Sequence, residues 1–188
     1  MDNEIISILD NAIVVKEGIK KSIPIIKEIA EEIIKSYKSN KKLILFGNGG
    51  SAADAQHIAA EFVGKFYKDR KSLPSLAFHT NTSILTAISN DYGYEFIFER
   101  QVSAFVEKGD VVIGISTSGN SLNVINGLKK AREMGAVTVG FTGEKENNIE
   151  KIVDYCLKIP SSDTPRIQEG HITVGHIICY LVEKTLFE

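Results

Sequence analysis

Along residues 1–40 the apolar positions recur at helical spacing. Ile5, Leu9, Ala12, Ile13 and Ile19 form one stripe, and Ile25, Ile29, Ile33 and Tyr37 form a second, each predicting an amphipathic helix with its polar side toward water. Ser22 and Pro24 divide the two as cap and first-turn residues. Beyond residue 40 the pattern changes to short apolar runs at Leu43–Phe46, Leu76–Phe78, Val111–Ile115, Val137–Phe141 and Tyr155–Ile159. Each is too short for a helix, and helical stretches separate them. Strands alternating with helices predict a doubly wound α/β fold, a five-stranded parallel sheet covered on both faces. From Pro165 to the C-terminus the pattern predicts one long helix. No repeat, low-complexity tract or linker interrupts the chain, so residues 1–188 form one domain: a helical segment over 1–40 and an α/β core over 41–188. Two leading stripes are more apolar surface than one small, already covered sheet can hide. Part of that surface is expected to pack between copies of the chain.

Composition narrows the setting. The apolar fraction is 43% and the charged fraction 24%, ordinary for a globular protein. The formal net charge of −2 supplies no field for a nucleic-acid backbone, so no nucleic-acid partner is expected. The acidic start Met1-Asp2-Asn3-Glu4 is unlike a signal peptide. No apolar run reaches the roughly 18 residues of a membrane span. Cys156 and Cys179 sit in apolar stretches and are expected to be buried thiols, without metal-ligand spacing. Together these features predict a cytoplasmic protein.

Two strand ends carry candidate chemistry. After the first strand comes Gly47-Asn48-Gly49-Gly50-Ser51, with a helix opening at Ala52 or Ala53. Glycines let the backbone approach an anion and a helix start offers free N–H groups, although a tight strand–helix turn would look the same. A dinucleotide would need an acid at the end of the second strand, where the sequence reads Phe78-His79-Thr80. After the third strand comes Ser116-Thr117-Ser118-Gly119-Asn120-Ser121, with a helix from Leu122. A cap needs one hydroxyl, whereas a cluster of four suits a phosphate group outside the carboxyl end of a parallel strand. Ser89-Asn90-Asp91-Tyr92-Gly93 reads as a third loop, after a helix over Ser83–Ile88. Its Asn and Asp suit a turn, and Asp91 equally suits sugar hydroxyls.

The helix after the first loop carries His57 and Glu61, one turn apart on one face, a pair fit for a divalent metal or for acid–base work. The last helix carries Gln168, His171 and His176. The two histidines point to different faces, so only one of them joins a site with Gln168. His79, at a strand end, is expected to be structural.

These motifs resemble the phosphoheptose isomerases of the sugar-isomerase (SIS) domain superfamily. The resemblance covers nearly the whole chain and rests on Gly47–Ser51, Asp54-Ala55-Gln56-His57, Glu61, Asn90-Asp91, Gly114–Ser121 and Arg166-Ile167-Gln168-Glu169 with His176. It implies the SIS fold with two N-terminal helices. It implies substrate contacts at Asn48, Gly49, Gly50, Ser51, Glu61, Asn90, Asp91, Ser116, Thr117, Ser118, Ser121 and Gln168. It implies one zinc per site held by His57, Glu61, Gln168 and His176, with Glu61 and His176 as acid–base residues. Gln is an unusual zinc ligand. The implied reaction is sedoheptulose 7-phosphate to D-glycero-D-manno-heptose 7-phosphate through a metal-stabilised enediolate, toward bacterial surface carbohydrate such as lipopolysaccharide. A homotetramer with shared active sites is also implied. Lys65 stands where such relatives often carry Arg, and Pro165 where Asp is common. Two alternatives accompany this: a non-catalytic SIS adaptor that binds a replication initiator, and an isomerase of another sugar phosphate. An intact His57, Glu61, Gln168 and His176 set argues for the enzyme.

Overall fold

The computed structural model describes residues 1–188. α1 (Asp2–Ile19) and α2 (Ile23–Lys38) meet at a 3₁₀ turn, Lys20–Ser22, with Pro24 in the first turn of α2. The core then runs β1 (Leu43–Gly47), α3 (Gly50–Val63), β2 (Ser75–Ala77), α4 (Thr82–Tyr92), α5 (Ile97–Phe105), β3 (Val111–Ile115), α6 (Leu122–Glu133), β4 (Val137–Gly143), β5 (Tyr155–Ile159) and α7 (Thr164–Phe187). All five strands are parallel in the order β2-β1-β3-β4-β5. No helix is long and apolar enough to cross a membrane.

The strands are apolar on both faces because helices cover both. Alternation along β1 sends Leu43 and Leu45 into one core and Ile44 and Phe46 into the other, as the period of two requires. The first core joins these strand residues to Ile29 and Ile33 of α2, Ile58 and Phe62 of α3, and Val174, Ile178 and Val182 of α7. The second lies under α5 and α6, where Phe46 stacks on Phe98 at 4.7 Å between ring centroids. Truncating a ring packed in this way costs about 3–5 kcal/mol.

Three local expectations are revised. α3 begins at Gly50, two residues before Ala52, because Gly49 takes a positive φ of 55° and lets the chain turn at once into the helix. α4 continues to Tyr92, so Asn90 and Asp91 occupy its last helical turn and only Gly93 leaves the helix. The Asn and Asp that suggested a turn are exposed there, where a helix end tolerates them. The leading stripes also differ: α2 buries Ile26, Ile29 and Ile33, but α1 buries only Ile19 and leaves Ile5, Leu9 and Ile13 at 50–60% exposure.

Candidate active site

The strand order reverses between β1 and β3, whose last residues Gly47 and Ile115 lie side by side. In an open parallel sheet the ligand crevice forms outside such a reversal. Both candidate loops end there. Asn48, Gly49, Gly50, Ser51, Ser116, Thr117, Ser121, Thr164 and Gln168 line one cavity of about 310 Å³. The Ser116 hydroxyl lies 3.0 Å from that of Ser121 and 3.4 Å from that of Ser118. Ser118 itself faces a neighbouring polar cavity that shares Thr117 and Thr164.

No lysine or arginine lines the first cavity. With no cationic side chain there, any attraction for an anion must come from the backbone and the hydroxyls. Gly50 opens α3, Ser121 is the N-cap of α6, and Thr164 opens α7, so three helix N-termini converge on one volume. Helix starts carry partial positive charge and unpaired N–H groups, a combination that with the serine hydroxyls suits an anion. Gly119 shapes the second loop. Its φ is +64°, and a Cβ there would overlap the Asn147 side chain.

The two loops are joined by amides. Asn48 and Asn123 donate reciprocally, each Nδ2 to the other's Oδ1 at 2.9 Å, and Tyr94 Oη donates to Asn48 Oδ1 at 2.9 Å. Asn48 therefore serves the cavity from a side chain already engaged by its neighbours. Sequence reasoning passed over Asn123 and Tyr94. The signal available was a second Asn two residues past Ser121, a poor helix former in a first turn.

Deeper along α3 and α7 lies a separate convergence. His57 Nε2 is 3.1 Å from Glu61 Oε1 and 3.4 Å from His176 Nε2, and the three side chains offer donor atoms all within 4.8 Å of one another. Tetrahedral ligands about 2.0–2.1 Å from zinc stand roughly 3.3 Å apart, so the spacing and the N, N, O donor set fit such an ion. His171 takes the other course. It is fully buried, its Nε2 lies 3.2 Å from the Thr142 carbonyl, and burial pushes its pKa down to about 4.

Gln168 lies in the regular helix, not at a frayed start, and its amide sits where a Cβ on Gly50 would be. It thus lines the same cavity, about 12 Å along the helix from His176 at 1.5 Å per residue. Asn90 and Asp91 lie outside that cavity and bond to each other, Nδ2 to Oδ1, at 2.8 Å. Asp54, one turn before His57, has its carboxyl pushed up to about 6 by burial, with His57 opposing. Burial also lowers the pKa of His79.

Comparison with known proteins gives a consistent result. Residues 10–143 match the SIS domain family. The phosphoheptose isomerase of Aneurinibacillus thermoaerophilus is 53% identical, with 100% of this chain and 96% of that protein aligned. That of Geobacter metallireducens is 50% identical with both chains fully covered. The solved phosphoheptose isomerase of Neisseria gonorrhoeae superposes with a TM-score of 0.92 at 37% identity, covering 97% of this chain and 98% of that one.

Proposed function

The chain belongs to the phosphoheptose isomerases of the SIS-domain family, and from that membership we propose that it converts sedoheptulose 7-phosphate to D-glycero-D-manno-heptose 7-phosphate. It is a sugar-phosphate isomerase of heptose biosynthesis. The catalytic part of the proposal rests above all on one observation, the convergence of His57, Glu61 and His176 on two helices whose N-termini open onto the serine-lined cavity.

The phosphate is held by Ser116, Ser118 and Ser121, with Thr117 and the backbone around Gly49, Gly50 and Ser51. Asn90 and Asp91, outside this cavity in the single chain, are assigned to the sugar hydroxyls by the family resemblance. Isomerisation removes a proton from C1 of the ketose, returns one to C2 and moves another from the C1 oxygen to the C2 oxygen. The enediolate in between carries its negative charge on the oxygens. Glu61 is the carbon base. Its Oε1 faces His57, which leaves Oε2 for the proton. His176, across from it, exchanges the proton on the oxygens, and His57 holds Glu61 in place. One zinc per site, held by these three residues, would supply Lewis-acid polarisation of the substrate carbonyl.

Gln168 cannot reach the triad of its own chain along a straight helix, so its place as a ligand belongs to a neighbouring copy. The exposed Ile5, Leu9 and Ile13 stripe of α1 supplies apolar surface for such an assembly, a homotetramer with sites shared between subunits in the cytoplasm.

The test is a panel of ketose phosphates incubated with the purified protein in deuterated water and read for aldose product. Sedoheptulose 7-phosphate should be converted with label at C2, and Glu61→Gln should fold yet lose turnover by about 10²–10⁴-fold. Preference for another ketose phosphate would reassign the substrate. Intact protein that isomerises none of them and captures a replication initiator would replace the enzyme with an adaptor.

A further inference from the structure

One buried ion pair lies beside the triad without being part of it. Arg70 and Glu183 have side chains only 2% and 3% exposed, with Arg70 Nε 3.0 Å from Glu183 Oε1. Glu183 also accepts from three consecutive backbone N–H groups, those of Phe66, Tyr67 and Lys68, at 3.1, 2.8 and 3.0 Å. Arg70 also reaches the end of α3: Nη2 donates to the Glu61 carbonyl at 2.9 Å and Nη1 to the Phe62 carbonyl at 2.7 Å, with a further bond from Nη1 to the Lys71 carbonyl at 3.1 Å. The four terminal carbonyls of a helix have no partner within it, and here one guanidinium caps two carbonyls of the last turn. The polar satisfaction is complete enough for a buried charge pair to be tolerated, where an incomplete one would be costly.

The geometry of this pair leads to the metal ligands from both sides. Through the Glu61 carbonyl, Arg70 fixes the turn of α3 whose side chain is a ligand. Glu183 stands seven residues after His176 on α7, two turns along the same face. It draws down the 66–68 backbone, and this places the Phe66 ring 5.7 Å from the His176 ring, centroid to centroid. The pair therefore joins the two helices that supply the triad and packs an aromatic wall against one of its histidines. A loop of sequence Lys68-Asp69-Arg70-Lys71 would otherwise be a solvated connection. A structural staple need not end on the backbone of one ligand and on a residue whose ring packs against another.

We propose that Arg70 and Glu183 are positioning residues that set the separation and orientation of His57, Glu61 and His176, and so tune metal affinity without touching metal or substrate. The proposal rests on the metal reading above. Residues that orient metal ligands typically change affinity or activity by about 10–100-fold when replaced.

The experiment measures zinc dissociation constants by competition with a chromophoric chelator on the purified, assembled protein. Arg70→Lys keeps the charge but loses the fork that reaches both Glu183 and the helix carbonyls. Glu183→Gln keeps the shape but loses the charge. Each should weaken zinc binding about 10–100-fold and lower kcat with little change in KM. Val124→Ala, in the core on the other sheet face, is the control for stability alone and should leave zinc affinity within about twofold of wild type. Phe66→Leu leaves the ion pair intact and covers the case in which both pair variants fail to fold; it should weaken zinc binding at least threefold. Wild-type affinity in a folded Arg70→Lys or Glu183→Gln protein, or, should neither fold, in Phe66→Leu, would overturn the positioning role. So would an equal loss in Val124→Ala. Wild-type protein that binds no zinc would instead defeat the metal reading itself.

Discussion

His171 should make the protein sensitive to mild acid by an amount that can be isolated. Its ring is fully buried against the Thr142 carbonyl, and burial lowers its pKa from 6.5 to about 4. Between those values the unfolded chain binds a proton that the folded chain refuses. The unfolded state then holds more protons, so stability rises with pH across the window and is lost as pH falls through it. At about 1.36 kcal/mol per unit, going from about pH 7.5 to 4.5 removes roughly 2.5 kcal/mol. That is a large part of the margin of a domain stable by about 5–15 kcal/mol. The perturbation is His171→Gln, which keeps an N–H for Thr142 and cannot become charged. Denaturant unfolding of both proteins at one concentration, since assembly shifts apparent stability, gives their difference at each pH. Other titrating groups contribute equally to both and cancel. Wild type should be the more stable near neutrality, and the gap should shrink by roughly 2.5 kcal/mol toward pH 4.5. A gap that stays constant with pH would show that His171 is not held neutral by burial, and the reasoning would fail.

Two further outcomes are expected. Replacing Ser118 and Ser121 together by Ala should weaken binding of the phosphorylated sugar, read by calorimetry, by about tenfold or more for two lost hydrogen bonds to a charged group; unchanged affinity would place the phosphate elsewhere. Metal analysis of His57→Ala should show zinc content well below one per chain, and a full complement would remove His57 from the metal site.

The sheet was legible because strand burial on both faces leaves continuous apolar runs, and Val111–Ile115 and Tyr155–Ile159 fall where the pattern puts them. The second loop stood out because four hydroxyls exceed what a cap needs, and Ser116, Thr117 and Ser121 line the cavity. Other features hid in ordinary local signals. Asn90 and Asp91 look like turn residues because the same side chains serve turns and helix ends. Spacing alone left His171 and His176 open, because only the packing of α7 decides which face meets Thr142 and which meets His57. Arg70 was hidden in a charged loop. Glu183, by contrast, interrupts the buried series Ile178, Cys179 and Val182, and an acid in an apolar stripe is itself a sign of a buried partner.

The amide pair between Asn48 and Asn123 has a consequence for how the protein ages. Asn48 precedes Gly49, and an asparagine followed by glycine is prone to deamidate, because no side chain hinders attack by the next backbone nitrogen on the amide carbon. That attack requires the amide to swing back toward Gly49 and release ammonia. Here the amide is engaged by Asn123 and Tyr94, so the fold that builds the cavity also restrains the amide most open to this loss. Mass-shifted Asn48 in stored protein would mark molecules whose two loops had come apart.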